Sequence, residues 1–287
     1  GRGAGPNKDY VLLDLTHLEP AHIDAKLPDI TEFARTYLGV EPYTEPVPVY
    51  PTAHYAMGGV PTNVETEVLR NNTDIVPGLY AAGEVACVSV HGSNRLGTNR
   101  LLHLNVFGRR AGIAAAEYAV SAPFVDLPDN PTALVDGMVE SIRTRESGER
   151  VADLRKALQE TMDRNVQVFR TEGSMKEALG VIEELKERYA NVVVQDKGRR
   201  YNTDLLEAVE LGFLIELAEV ITLGALARKE SRGGHFREDY EARDDVNFMR
   251  HTMAYRAPVT DVAAGPAFAD EVRLDYKPVT VTRYQPM

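Results

Sequence analysis

One cysteine, Cys87, stands in 287 residues. That excludes an intrachain disulfide framework and fits a reducing compartment. No CxxC or metal spacing accompanies it, so it reads as a small buried hydrophobe. Long apolar runs are missing: none approaches the roughly 18 residues that a bilayer-spanning helix needs. A basic surplus is missing as well. Lys and Arg number 32 against 43 Asp and Glu, a net charge of −11, which argues against nucleic acid as a partner. In so acidic a chain an arginine in a cleft stands out, because positive charge must be concentrated locally to hold an anion. There is no signal-peptide pattern, no internal repeat and no low-complexity segment. Nor is there a Gly-x-Gly-x-x-Gly. Gly1-Arg2-Gly3 comes near it, but Pro6 takes the last position and no strand precedes it; Gly1 to Pro6 reads as the middle of a loop.

What is present is enough for a core. The chain is 44% hydrophobic, long enough for two domains. Its most informative stretch runs from Leu79 to Gly112. Leu79 to Ala82 reads as a buried strand stopped by Gly83, with Glu84 at its end. A loop rich in Gly, Ser and Asn follows from Val85 to Gly97. Thr98 or Asn99 then offers an N-cap, and Leu101, Leu102, Val106, Ile113 and Ala114 form a helical stripe. Strand, glycine-bearing loop and helix N-terminus together make an anion- and cofactor-binding geometry, since the first helical N–H groups lack partners within the helix. Glu84, His91 and Arg95 lie in that stretch.

Elsewhere, Tyr10 to Leu13 reads as a strand. Ile23, Leu27, Ile30, Phe33, Ala34 and Leu38 give an amphipathic helix ended by Gly39, with a kink or fresh start at Pro28. Glu41 to Pro48 reads as a linker or hinge, or as an ordinary surface loop. Val47 to Thr52 and Val64 to Leu69 read as strands, and Gly58-Gly59 as a tight turn or a close backbone approach to a ligand. Val151 to Val168, Ser174 to Tyr189 and Thr203 to Arg228 read as long helices. The last is capped by Asn202 or Thr203 and is apolar through Leu211 to Ile215, hence central in a bundle. Arg232 to Asp245 reads as polar loop, and His251 to Ala257 and Val272 to Tyr284 as strands.

Three stretches carry a resemblance. Gly83-Glu84-Val85-Ala86 with His91-Gly92-Ser93-Asn94-Arg95-Leu96-Gly97 resembles the flavoprotein subunit of succinate dehydrogenase and fumarate reductase. Pro51 to Gly59 is similar to a second motif of that family and Glu230 to His235 to a third. The three come in the family's order, and the likeness runs the length of the chain. It implies a mixed α+β and α/β fold: a remnant of a Rossmann-like FAD-binding domain with part of a capping domain, then a helical bundle and a small C-terminal unit. The boundaries expected are 1–46 for the capping remnant, 47–122 for the FAD-binding part, 123–231 for the helical domain and 232–287 for the small unit. The resemblance also implies that the family's N-terminal half is absent here. With it would go the covalent flavin-attachment histidine, the proton-transferring arginine and a Thr–Glu pair. No catalytic acid or base is therefore expected in this chain, which by itself is expected to be inactive.

By the resemblance, Arg95 binds one substrate carboxylate and His54 the other. The planar guanidinium fork suits a carboxylate bidentately; an isolated histidine near a strand end is more often simply a satisfied structural residue. Glu84 takes the family position near the FAD ribose. Arg100 and Leu101 would offer backbone amides to the flavin from the helix N-terminus, whose positive end stabilises charge developing on the ring. His91 is a loop member of lesser weight. The sequence departs from the family at position 100, usually Ser and here Arg100, and at position 103, usually Asp and here His103. Arg100, if it faces the flavin, would raise its reduction potential. The Glu230 to Arg237 segment is expected to tie the helical part to the flavin part. The implied reaction is oxidation of succinate to fumarate within the tricarboxylic acid cycle. Electrons would pass from FAD to an iron–sulfur subunit and on to quinone, at the cytoplasmic face of the inner (plasma) membrane, held there indirectly through membrane-anchor subunits. No metal ligands and no nucleic acid are expected. Fumarate reductase is the same chemistry reversed. L-aspartate oxidase shares His-Gly-x-Asn-Arg but is disfavoured by Ala56-Met57 and by Ser231 to His235. A non-catalytic assembly fragment is the alternative of a different class.

Overall fold

The computed structural model describes residues 3–256, 268 and 271–281. The chain divides into two compact units, Gly1–Ala56 and Met57–Met287.

In the first unit, strand β1 (Val11–Leu13) pairs antiparallel with β2 (Val47–Val49), Val11 opposite Val49 and Leu13 opposite Val47. Helix α1 (Pro20–Lys26) starts on a proline, and α2 (Pro28–Phe33) starts on the next. A π-helical turn, Ala34–Leu38, ends at Gly39 in the left-handed region, φ 66°, where glycine meets no Cβ penalty. The single amphipathic stripe read from the sequence is therefore broken. Leu27, at φ −134° and ψ 43°, leaves the helical path because the proline ring after it disfavours that conformation. The second helix is re-aimed, so Ile23 and Ala34 are buried with Thr31, while Ile30, Phe33 and Leu38 stay exposed. The segment after Gly39 packs back onto these helices. Glu41 accepts two hydrogen bonds from Arg35, at 2.8 and 2.9 Å, and the Tyr43 hydroxyl donates to Asp24.

In the second unit, β3 (Val60–Pro61) runs parallel to β6 (Ala86–Cys87), and β4 (Glu67–Leu69) antiparallel to β5 (Ile75–Tyr80). β4 is shorter than expected because Asn63 closes a turn first: its side-chain carbonyl accepts from the amides of Glu65 and Glu67 at 3.1 and 3.0 Å. β5 is a strand, but not the buried one expected. Leu79 is 50% exposed, since among the described residues β5 pairs only with β4 and its main packing beyond that is against helix α3 (Asn99–Ser121). There the Tyr80 hydroxyl donates to the Ala114 carbonyl at 3.3 Å. The same packing turns the Leu101, Leu102, Val106 and Ile113 stripe outward, about half exposed, and buries His103. Cys87 is half-buried, not buried, because it lies at the end of the two-residue β6.

The remainder is helical. α4 (Ala133–Thr144), α5 (Val151–Asn165), α6 (Glu172–Tyr189) and α7 (Thr203–Ala227) pack together, with β7 (Glu149–Arg150) parallel to β8 (Val192–Val193). Thr171 and Ser174 form a capping box on α6, and Asn202 caps α7 by accepting from the Leu205 amide. The core is built from Ile142, Leu154, Ile182, Leu185, Leu211 and Ile215, all essentially inaccessible. Tyr189 joins it by donating to the Ala208 carbonyl at 2.7 Å. A Cβ on Gly212 would stand 2.7 Å from that hydroxyl, so only glycine lets α6 and α7 approach this closely. α7 is central along one face only: Leu211 and Ile215 point in, while Phe213 is 54% exposed, as 3.6-residue periodicity requires of consecutive apolar residues. A short helix α8 (Asp245–Phe248) leads to a hairpin of β9 (Arg250–Arg256) and β10 (Val272–Pro278), register Arg256 opposite Val272. Ala257 and residues 282–284, expected as strand ends, lie outside the described residues.

The segment after α7 buries charge in matched sets. Glu230, fully buried, accepts from Arg228 and Arg232 at 2.7 and 2.9 Å and from the Asp244 amide at 2.8 Å. Arg237, also fully buried, is bidentate to Asp239 at 2.7 and 2.8 Å and donates to the carbonyls of Ala225 and Leu226. It thereby caps the negative end of α7. His235 lies between, its Nε2 donating to the Arg228 carbonyl at 3.0 Å and its Nδ1 accepting from Arg170 at 2.7 Å. That pattern needs a neutral ring, and burial, aided by the neighbouring arginines, holds its pKa down to about 4.

Two measurements test this account. Leu211→Ala should destabilise by about 2–5 kcal/mol in urea unfolding, and Phe213→Ala by under about 1 kcal/mol. His235, depressed when folded, stays neutral while its unfolded counterpart protonates. It therefore stabilises fully above pH ~6.5 and loses that contribution as pH falls toward 4, up to roughly 3 kcal/mol. His235→Gln should flatten the stability profile across that window.

Candidate functional site

The site grows from the parallel pair β3 and β6. The Val60 amide donates to the Val85 carbonyl at 2.7 Å and the Thr62 amide to that of Cys87 at 3.1 Å. Gly58 and Gly59 lead into β3 at φ 88° and 132°. A Cβ on Gly59 would lie 2.4 Å from the Val85 carbonyl oxygen, so the strands approach only because it is glycine. At Gly58 a Cβ would meet nothing within 4 Å: its outer side is open.

Arg95 binds these pieces together. Its amide donates to the Met57 sulfur at 3.2 Å. Its Nη2 donates to the carbonyls of Gly58, Glu84 and Ala86 at 3.2, 3.0 and 3.3 Å. The guanidinium thus sits where the Gly58-Gly59 turn meets the turn at Glu84 that joins β5 to β6, half-buried and carrying the positive charge of the cavity wall; the strand expected over Leu79 to Ala82 ends already at Tyr80. Glu84 is exposed in that turn. Arg100 and Leu101 occupy the first turn of α3. The Leu101 amide donates to the Thr98 carbonyl at 2.9 Å, so that N–H is engaged within the turn. Neither expected N-cap operates through its side chain. Thr98 holds the cap position at φ 62° and makes no capping bond; a β-branched residue at positive φ is strained.

His54 belongs to the first unit, its ring 5.6 Å from that of Tyr55. Arg95, Glu84, Arg100 and Leu101 belong to the second. The structure adds residues that sequence reading passed over. His251, on β9, lies 3.1 Å from the Ser89 hydroxyl and lines the same cavity as Arg95, Met57 and Gly58. Its only signal in the sequence is a polar residue opening an apolar strand, which does not point to a loop 162 residues away. The Gly233-Gly234 turn docks on that loop, the Gly234 amide donating to the Ser93 carbonyl at 2.9 Å. Burial pulls the pKa of His251 and of His91 below the usual histidine range. Among the described residues no group of three or more His, Cys, Asp or Glu could hold a metal ion, and no helix is long and apolar enough to cross a membrane.

The open side of Gly58 beside a cation, the exposed Glu84 carboxylate and a helix N-terminus suit a planar ring with an attached sugar. Comparison with known proteins agrees. Residues 2–101 match the FAD binding domain, and residues 155–287 match the fumarate reductase flavoprotein C-terminus; the cofactor is FAD. The succinate dehydrogenase flavoprotein subunit of Rickettsia bellii is 44% identical over 98% of this chain and 46% of its own length. The fumarate reductase flavoprotein subunit of Mycobacterium tuberculosis is 39% identical over 98% of this chain and 47% of its own. The FrdA chain of E. coli quinol fumarate reductase superposes with a TM-score of 0.86 at 38% identity, covering 99% of this chain and 46% of that one. The chain thus spans about half the length of the curated relatives it matches.

Proposed function

The chain belongs to the family of flavoprotein subunits of succinate dehydrogenase and fumarate reductase, and from that premise we propose that it serves an enzyme interconverting succinate and fumarate. The observation that carries the reading is the position of Arg95, its guanidinium gathered at the junction of the Gly58-Gly59 turn and the Glu84 turn ahead of β6. Glu84 and the first turn of α3, Arg100 and Leu101, are what we assign to FAD, the Leu101 amide serving only as part of the positive helix end because it already donates to Thr98. FAD when bound supplies the acceptor for hydride leaving succinate. Arg95 grips one carboxylate of the diacid through its planar fork, and His54 donates to the other. Their contribution is orientation and charge neutralisation, worth most where water is excluded. Succinate and fumarate carry the same two carboxylates, so the same pair serves either direction. No residue here is assigned as the acid or base.

Residues 1–46 are read as part of a capping domain, 47–122 as FAD-binding, 123–231 as a helical domain and 232–287 as a small terminal domain. The physiological reaction proposed is succinate oxidation, with electrons passed to an iron–sulfur subunit and then quinone. The enzyme would stand peripherally at the cytoplasmic face of the membrane, through anchor subunits. The relatives' own designation as subunits supports an assembly of this kind.

In the assembled enzyme, Arg95→Lys keeps the charge and loses the fork. It should lower kcat/KM for succinate by about 10²-fold, and His54→Ala should weaken malonate inhibition about tenfold or more; wild-type values in both would remove the pair from the site. Arg100→Ser, by withdrawing a positive charge at the helix N-terminus, should lower the flavin midpoint potential in a redox titration.

A further inference from the structure

Two imidazoles behind the Arg95 loop take no part in the reading above. His103 projects from α3 and is 4% exposed. Its Nδ1 lies 2.8 Å from Nε2 of His91, and Phe107 meets its ring edge-on with centroids 5.0 Å apart. The outer nitrogens, His91 Nδ1 and His103 Nε2, are buried without a hydrogen-bond partner among the described residues. A contact of this length needs one hydrogen and one lone pair between the rings. It survives one added proton and not two, because two imidazolium rings would face each other N–H to N–H.

We propose that His103 is a positioning residue, anchoring His91 and through it the loop that carries Arg95, and that the anchor is released when both rings are protonated. The loop has other tethers: Ser93 is held by the Gly234 amide and Ser89 by His251. The His91–His103 bond is what ties it to α3, four residues before Arg95. The surroundings favour the singly hydrogen-bearing contact. Burial lowers the affinity of both rings for protons, a charge on His91 opposes the charging of His103, and Arg95 adds to this for each. The titratable and charged groups that share a cavity with His91 are Arg95 on the loop, Cys87 on β6 and His251 on β9; α3 contributes Asn99, Leu102, Val106 and Phe107 to the second cavity, none charged. Among the described residues no carboxylate lines these walls to stabilise an imidazolium. The role of the loop in ligand binding rests on the reading of Arg95 as a carboxylate ligand; the anchoring itself does not.

The test compares the wild type with His103→Asn and His103→Phe in the assembled enzyme, using hydrogen exchange of residues 88–97 and malonate affinity at pH 7.5 and 5.5. The asparagine amide replaces Nδ1 as a partner and takes no proton. Corrected for intrinsic exchange, the loop should open about tenfold more in His103→Phe at both pH values. In the wild type it should open on acidification, and in His103→Asn it should stay closed at both. Malonate affinity should follow the same order. Equal loop exchange in all three proteins, or the same acid opening in His103→Asn as in the wild type, overturns the proposal. Loop exchange in the expected order with no malonate binding by the wild type supports the anchor and overturns the reading of Arg95 instead.

Discussion

One guanidinium nitrogen organises the candidate site. Nη2 of Arg95 gathers the carbonyls of Gly58, Glu84 and Ala86, which β3 and β6, only two residues each, are too short to engage in a regular ladder. Ala86 is buried, and a buried carbonyl without a donor is costly; the cation that satisfies it also fastens the Gly58 turn to the turn entering β6. The same bonds place a positive charge beside the open face of Gly58 in a chain whose net charge is −11. Structural fastening and anion attraction are one arrangement here, not alternatives: an Nη2 committed to the backbone fixes the plane and direction of the whole guanidinium.

A second charged cluster performs the corresponding task at the end of α7. Arg237 satisfies the last carbonyls of the helix while held by Asp239, and Glu230 collects Arg228, Arg232 and the Asp244 amide. Groups this deeply buried are tolerable only when each finds its partners. The result is a rigid turn whose glycines meet the Ser93 loop, where a Cβ on Gly233 would stand 2.4 Å from the Ser93 hydroxyl. The Glu230 to Arg237 motif thus acts on the site by supporting the loop, with no side chain of its own assigned to ligand.

The helical part was legible where local rules suffice. Asn202 as the cap of α7, the break at Pro28 and the left-handed Gly39 follow from residue chemistry within a few positions. The mixed architecture and the family were legible in three ordered motifs. Periodicity failed where it had to be converted into burial. α3 is a helix as expected, yet its apolar stripe is half exposed and a histidine is its buried residue. β5 is a strand, yet Leu79 lies half in solvent. A pattern of apolar residues states which side chains share a face; it does not state what covers that face.

By itself the sequence determined the kinds of element, many of their caps and breaks, and the family, and it supplied the residue types on which the proposed diacid site rests, because each depends on neighbours close along the chain or on ordered motifs. Only the tertiary structure decided that Arg95 spends its Nη2 on three carbonyls, that His251 reaches Ser89 and that His91 and His103 share one hydrogen bond. These depend on segments brought together across long loops, and the free energy that selects them is the satisfaction of polar groups on folding, which no local pattern encodes.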